Sequence, residues 1–135
     1  MPAVNAFIDT NVLLYLFSQD TAKADRAEAI IQTGGVISVQ VLNEVANVAR
    51  RKLGIAWPDT LELLELIRAL CVVNPVTIEM HSKGLQIAER YGFSIYDSMI
   101  IAAALLAGCE RLYSEDLQHG QLIDKQLRLC NPFLK

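Results

Sequence analysis

Apolar residues along the chain follow two alternating patterns. Short apolar runs bounded by Asn, Asp, Gly or Pro are typical of buried strands. They predict strands at residues 4–8, 36–37, 71–73 and 111–113, with a fifth candidate at 127–129. Apolar positions spaced three and four residues apart are typical of helices that bury one face. This spacing predicts helices at residues 21–32, 38–53, 58–70, 77–91 and 94–106, and a helix or helical turn at 12–17.

Strands and helices alternate along the whole chain, which is the arrangement of the α/β class. In that class a parallel sheet is covered by helices on both faces. The prediction is therefore a three-layer α/β/α domain whose central parallel sheet has four to five short strands. A length of 135 residues fits one domain, residues 1–135, and we find no linker, repeat or low-complexity segment that would divide it.

The composition excludes several classes of protein. Hydrophobic residues make up 53% and charged residues 20% of the chain, which favours a globular fold over disorder. No apolar run reaches the ~18 residues of a membrane span, and residues 1–5 lack the basic start of a signal peptide. Cys71, Cys109 and Cys130 are widely spaced, which argues against a disulfide framework or a zinc site. We expect a cytoplasmic protein with reduced, structural thiols.

Two acidic residues follow predicted strands. Asp9 comes directly after the first strand, and Asp116 lies three residues after Tyr113, at the end of the fourth. Open α/β sheets place their sites beyond the carboxyl ends of the strands, so both acids are expected at that rim. The structural alternative is ordinary, because Asp is common in turns and as a helix cap. On that interpretation, Asp9 simply caps the helix that follows.

Two further acids lie on predicted helices. Glu44 falls at helical spacing with Gln40, Asn47 and Arg51, on a polar face that is either solvent surface or part of the sheet's rim. Asp97 enters a helix that is apolar almost all round, so its carboxylate must be paired, hydrogen-bonded or bound to an ion. The structural alternative for Asp97 is a capping box with Ser94.

Taken together, the four acids predict a metal site. Hard oxygen ligands of this kind suit Mg²⁺ or Mn²⁺. The formal net charge of −3 is unusual for a protein that approaches phosphates. If the four acids were metal ligands, the remainder of the chain would carry +1, so the overall charge does not exclude an RNA substrate.

Four segments resemble, in order, the motifs of the PIN-domain family. They are FIDTNVLL at residues 7–14, VQVLNEV at 39–45, YDSMIIAAA at 96–104 and LYSEDL at 112–117. The chain length and the motif set are most similar to the VapC toxins of toxin–antitoxin pairs. The resemblance implies that Asp9, Glu44, Asp97 and Asp116 are the catalytic and metal-binding residues. It also implies that Asn11, Ser38 and Ser114 are polar supports, and it leaves the role of Glu115 open.

The same resemblance implies a function. The expected protein is a Mg²⁺-dependent endoribonuclease, with Mn²⁺ as a substitute metal, that hydrolyses RNA through metal-activated water. Its expected partners are an RNA substrate, an antitoxin and a second copy in a homodimer. The apolar segments at residues 12–17 and 61–70 are candidates for these contacts or for the core. Basic candidates for phosphate contacts are Lys23, Arg26, Arg50, Arg51 and Lys52.

Two other functions stay open, and two more are disfavoured because the residues they require are absent. An RNA-processing PIN nuclease without an antitoxin would have the same motifs, and a non-catalytic binding module would act only through a partner. A phosphatase of the haloacid-dehalogenase type would need a second acid two residues after Asp9, where Asn11 stands. A receiver domain would need paired acids before the first strand's Asp, which the short N-terminal segment lacks.

Overall fold

A central sheet organises the computed structural model, which describes residues 6–134. Its strands are β1 (Ala6–Ile8), β2 (Gly35–Ser38), β3 (Cys71–Asn74), β4 (Arg111–Tyr113), β5 (Leu122–Ile123) and β6 (Leu127–Cys130). The strand order is β3-β2-β1-β4-β6-β5, and every neighbouring pair is parallel except β5 with β6. The predicted α/β class with a central parallel sheet is confirmed. The first two residues of the predicted strand at 4–8 lie outside the described residues.

Within residues 6–134, six helices surround this sheet. They are α1 (Thr10–Leu14), α2 (Thr21–Gln32), α3 (Val39–Arg51), α4 (Trp57–Leu70), α5 (Ile78–Tyr91) and α6 (Ile95–Leu106), and a 3-10 turn (Tyr15–Phe17) extends α1. Their ends carry local signals: Asp20 and Thr77 accept hydrogen bonds from the first turns of α2 and α5, and Gly92 ends α5 with a φ of 81°. These signals explain why the predicted helix boundaries agree closely with the structure.

The core lies between the sheet and the helices. All four residues of β2 are buried, as expected of a strand that is covered on both faces. Helix α6 buries seven of its twelve residues. It packs against α5 at Gly84, where an added Cβ would lie 2.5 Å from the Met99 sulfur. The glycine inside helix α5 therefore allows this close contact between helices.

The sheet has six strands among the described residues: five are parallel, in agreement with the predicted four to five, and the sixth was not predicted. The missed strand is β5, which has only two residues and pairs antiparallel with β6. Asp124 and Lys125 in the connecting turn have φ values of 50° and 57° without being glycine. Asp124 is held there by Lys83 at 2.8 Å and Arg90 at 2.7 Å. Because these partners lie on α5, far from the turn in the sequence, no local sequence pattern predicts the hairpin.

The two apolar segments proposed for partner contacts differ in exposure. Val12 and Leu13 are buried in the core, whereas Leu61 and Leu66 of α4 are 54% and 49% exposed. All three cysteines are free, and burial raises the pKa of the Cys71 and Cys109 thiols to about 11. Within residues 6–134, no helix combines the length and the apolar character that crossing a membrane requires.

Candidate active site

The candidate site lies where the strand order reverses. The chain builds β1, β2 and β3 outward in one direction and then places β4 on the other side of β1. In open α/β sheets, the crevice at this switch point is the usual site. A cleft of about 340 Å³ lies there, and its lining residues include Asp9, Glu44, Asp97 and Asp116. Four acids that are separated by up to 107 positions in the sequence therefore line one cleft.

Asp9 follows β1 and is only 8% exposed. Its Oδ1 accepts a hydrogen bond from the Thr10 amide at 2.7 Å, and its Oδ2 accepts one from the Ser114 hydroxyl at 2.9 Å. Burial raises the pKa of Asp9 from 3.8 to about 6, although these two hydrogen bonds oppose the shift. The negative charges of Glu44 and Asp97 raise this pKa further. Asp9 thus caps α1 and lines the cleft at the same time.

Glu44 lies on the polar face of α3. The Thr10 hydroxyl donates to its Oε1 at 2.5 Å. The side-chain nitrogen of Gln40, one turn earlier, donates to its Oε2 at 3.4 Å. Asn47, one turn later, also lines the cleft. This part of the polar face therefore borders the cleft, whereas Arg51 at its end is exposed and does not line it.

Asp97 lies in the first turn of α6. Its amide donates to the Ser94 hydroxyl at 3.1 Å, so Ser94 caps the helix. The reciprocal bond of a capping box, from the Ser94 amide to the Asp97 carboxylate, does not occur among the described hydrogen bonds. The carboxylate is half-buried and lines the cleft. Capping therefore uses the backbone of Asp97 and leaves its carboxylate available.

Asp116 is connected to the first turn of α1 through Asn11. The Asn11 side-chain nitrogen donates to Asp116 Oδ2 at 2.9 Å and lies 3.3 Å from the Ser114 hydroxyl oxygen. The Asn11 side-chain oxygen accepts from the Glu115 amide at 3.2 Å. The predicted supports Asn11 and Ser114 therefore join the segments after β1 and β4.

The remaining predicted support, Ser38, lies outside the cleft. Ser38 is fully buried, does not line the cleft, and its hydroxyl has no hydrogen-bond partner in the described part of the chain. Its supporting role stays a prediction. Thr10 and Tyr96 line the cleft but were not singled out from the sequence. The sequence signal that could have identified them is that Thr10 directly follows Asp9 and Tyr96 directly precedes Asp97.

The lining of the cleft has the chemistry of a cation site. Among residues 6–134, its lining residues include four carboxylates and no Lys, Arg or His. Hard oxygen donors of this kind suit Mg²⁺ or Mn²⁺. However, within residues 6–134 the structure brings no three Asp, Glu, His or Cys side chains close enough together to hold a metal ion. Thr10 and Asn11 instead engage oxygens of Glu44 and Asp116. The donor types therefore fit a divalent cation, while Glu44 and Asp116 accept hydrogen bonds from neighbouring side chains.

The predicted phosphate-binding residues also do not line the cleft. Lys23 pairs with Glu115 at 2.8 Å, and Arg26 donates to the Pro132 carbonyl at 3.1 Å. Arg50 donates to the Ile55 carbonyl at 2.6 Å and lies over the Trp57 ring. Arg51 and Lys52 are exposed. No basic side chain among the described residues therefore compensates the charge inside the cleft.

Comparison with known proteins agrees with the fold. The PIN domain family model matches residues 6–122. No curated protein matches the chain by sequence. A toxin–antitoxin complex from Klebsiella pneumoniae contains a chain with a TM-score of 0.70 and 20% identity, with 95% of this chain and 98% of that chain covered.

Two further solved structures are similar in fold. The sarcin–ricin-loop-cleaving toxin VapC20 from Mycobacterium tuberculosis has a TM-score of 0.64 and 19% identity, covering 79% of this chain and 86% of that chain. VapBC2 from Rickettsia felis, bound to a DNA fragment from its promoter, has a TM-score of 0.66 and 15% identity, covering 93% and 98%. At these identities the likeness is one of fold.

Proposed function

The chain belongs to the PIN-domain family, and from that premise we propose that it is a Mg²⁺-dependent endoribonuclease, with Mn²⁺ as an alternative metal. The observation that carries the proposal is the single cleft at the sheet's switch point, which four carboxylates line without any basic side chain from the described part of the chain. VapC20, which has a similar fold, is described as a toxin that cleaves the sarcin–ricin loop.

Asp9, Glu44, Asp97 and Asp116 would hold the metal, and Asn11 and Ser114 would orient two of these acids. Bound Mg²⁺ supplies Lewis acidity and neutralises charge at the attacked phosphate. The Asp97 carboxylate accepts no hydrogen bond among the described residues, so it is the acid that is most available to a cation. Thr10 and Ser114 hold Glu44 and Asp9 by their hydroxyl groups, which restricts the orientation of those carboxylates.

RNA binding at this cleft needs attractive contacts other than basic side chains. Tyr96 lines the cleft and is 76% exposed, so its ring is available for stacking on an unpaired base. Stacking of this kind stabilises single-stranded nucleic acids without requiring a particular base. The preferred substrate is therefore RNA with unpaired nucleotides, in a loop or a single strand.

The proposal includes protein partners. One solved structure of similar fold is part of a toxin–antitoxin complex, and we propose an antitoxin as the regulator of this chain. A homodimer and a cytoplasmic location complete the proposal. The exposed apolar residues of α4, Leu61 and Leu66, are available for such contacts.

Substitution of Asp97 tests the activity. Asp97→Asn preserves size and the Ser94 cap but removes the charge, so metal-dependent RNA cleavage should fall by at least ~100-fold while the fold survives. The measurement is cleavage of a hairpin RNA with a single-stranded loop, in EDTA and after addition of Mg²⁺ or Mn²⁺. Asp25→Asn, on the exposed face of α2, is the matched control and should cleave like the wild type. Cleavage by Asp97→Asn at the wild-type rate would falsify the assignment.

A non-catalytic binding module is the competing function. The observation in its favour is that no three metal-binding side chains are grouped as placed in the described residues. Titration calorimetry with Mg²⁺ separates the two functions, because the nuclease must bind the ion through Asp97. Wild-type protein that neither binds Mg²⁺ nor cleaves RNA would favour the binding module.

A further inference from the structure

Glu115 lies between two residues of the candidate site but faces away from it. Ser114 and Asp116 contact Asp9 and Asn11, whereas the Glu115 side chain lines a neighbouring pocket with Tyr15 and Phe17. It does not line the cleft that the four acids share. A direct role of its carboxylate in that cleft therefore has no geometric support.

The Glu115 carboxylate is held by two side chains from other elements. The Tyr15 hydroxyl donates to Oε1 at 2.5 Å, and the Lys23 ammonium donates to Oε2 at 2.8 Å. Lys23 also donates to the Tyr15 hydroxyl oxygen at 3.1 Å, so the three groups form a closed triangle of hydrogen bonds. We call Tyr15, Lys23 and Glu115 the clasp.

Aromatic packing holds the other side of the clasp. The Tyr15 and Phe133 rings meet edge to face, with centroids 4.7 Å apart. Lys23 lies over both rings, 4.6 Å from the Tyr15 centroid and 5.5 Å from that of Phe133. All three clasp residues are half-buried. The clasp therefore differs from an exposed surface ion pair, which contributes little because both side chains are solvated and mobile.

The backbone of Glu115 connects the clasp to the candidate site. Its backbone amide donates to the Asn11 side-chain oxygen at 3.2 Å, and the Asn11 side-chain nitrogen donates to Asp116 Oδ2 at 2.9 Å. The Glu115 side chain is thus held outside the cleft, while its backbone contacts Asn11, which lines the cleft. Movement of Glu115 would displace Asn11 and, through it, Asp116.

We propose that Glu115 is a positioning residue: the clasp fixes the segment after β4 so that Asn11 holds Asp116 in the cleft. The inference rests on the proposed nuclease function and deepens it, because it assigns a role outside the metal site to Glu115, whose role the sequence motifs leave open. Lys23 is on this proposal a partner of Glu115 and not a phosphate contact.

Three substitutions test the clasp from different sides. Glu115→Ala removes the anchor, Tyr15→Phe removes one donor but keeps the ring on Phe133, and Lys23→Met removes the other donor but keeps the stem. Each should lower kcat, from roughly tenfold to a hundredfold for Glu115→Ala, since a small misplacement of a site group has effects of this size. KM should stay within about twofold. Combining Glu115→Ala with Lys23→Met should add little to either change alone, because both break the same contact.

The control is Glu28→Ala, which removes an exposed carboxylate of α2 whose hydrogen-bond partner among the described residues is Gln32. It should leave kcat unchanged. A phosphate-binding role of Lys23 would instead raise KM in Lys23→Met, with Glu115→Ala near the wild type. A metal-ligand role of Glu115 would make Glu115→Ala inactive with Tyr15→Phe unaffected. Either pattern would overturn the proposal.

A second measurement separates the clasp from the nuclease function. The side-chain amide signals of Asn11 in a ¹⁵N-labelled protein should shift in Glu115→Ala, Tyr15→Phe and Lys23→Met but not in Glu28→Ala. Wild-type protein that lacks metal-dependent cleavage would refute the nuclease function, while these shifts would still report the clasp. Unchanged Asn11 signals in all three variants would refute the clasp even in an active enzyme.

Discussion

Replacing Asp9 by Asn should stabilise the metal-free protein at neutral pH, even though Asp9 is a helix cap. The carboxylate is 8% exposed, and burial raises its pKa from 3.8 to about 6. At roughly 1.4 kcal/mol per pKa unit, keeping Asp9 ionised at pH 7.5 lowers the stability of the fold by about 3 kcal/mol. Asn has no such charge, but its one acceptor oxygen cannot serve both Thr10 and Ser114. The lost hydrogen bond costs about 1 kcal/mol, which leaves a net gain of about 2 kcal/mol.

The direction of the pH dependence follows from the raised pKa. The folded protein binds the Asp9 proton more tightly than the unfolded chain does, so this stability is fully present below about pH 4 and is lost as the pH rises through about 6. The advantage of Asp9→Asn should therefore disappear near pH 4, where the wild type carries a neutral Asp9. Titrating groups that do not interact with Asp9 occur in both proteins and cancel in the difference.

Urea unfolding in EDTA between pH 4 and pH 8 measures this difference directly. Asp25→Asn on α2 is the control and should follow the wild type at every pH. Added Mg²⁺ should stabilise the wild type and narrow its gap to Asp9→Asn, because an ion that binds only the folded state shifts the equilibrium. A variant that is less stable than the wild type at pH 7.5 by an amount independent of pH would refute the reasoning.

The remaining predictions concern packing, a turn and the RNA. Gly35→Ala should destabilise the fold by about 1–3 kcal/mol in urea unfolding, because a Cβ there would lie 2.5 Å from Ile8 Cδ1; Ile8→Val should recover part of that loss, and equal stability of Gly35→Ala and wild type would contradict the packing. Lys125→Gly should raise stability by up to about 1 kcal/mol in thermal unfolding, since φ is 57° at Lys125; a lower melting temperature would show that the turn is unstrained. Tyr96→Ala should raise KM for loop RNA by roughly 5- to 100-fold with little change in melting temperature, whereas Tyr96→Phe keeps the stacking face; a wild-type KM in Tyr96→Ala would exclude stacking.

The parts of the fold that were predictable depend on local signals. Helix α2 was predicted with its observed bounds because apolar residues recur at helical spacing. The structure adds that Asp20 caps its start. The buried strand β2 was predicted from its apolar run, since residues covered on both faces need no alternation. Hairpin β5–β6 was not predictable, because its turn depends on contacts of Asp124 with Lys83 and Arg90, more than thirty residues away.

The convergence of the acids was predictable for a topological reason. Carboxyl ends of parallel strands meet at one edge, so Asp9 and Asp116 had to lie near each other once both strands were recognised. What the sequence did not indicate is which hydrogen bonds each carboxylate makes. The Thr10 bond to Glu44 joins residues 34 positions apart, and nothing in the sequence around Thr10 distinguishes it from an ordinary helix start.

The structural and functional interpretations of Asp9 were posed as alternatives, but the geometry allows both. Each oxygen of a carboxylate has two lone pairs. Oδ1 of Asp9 uses one for the Thr10 amide, and Oδ2 uses one for the Ser114 hydroxyl. One lone pair on each oxygen therefore remains for a cation. The same holds for Asp97, whose amide forms the cap bond while its carboxylate stays unengaged among the described residues. Capping orients these acids at the cleft, so a cap at a strand end or helix start is not evidence against a metal-binding role.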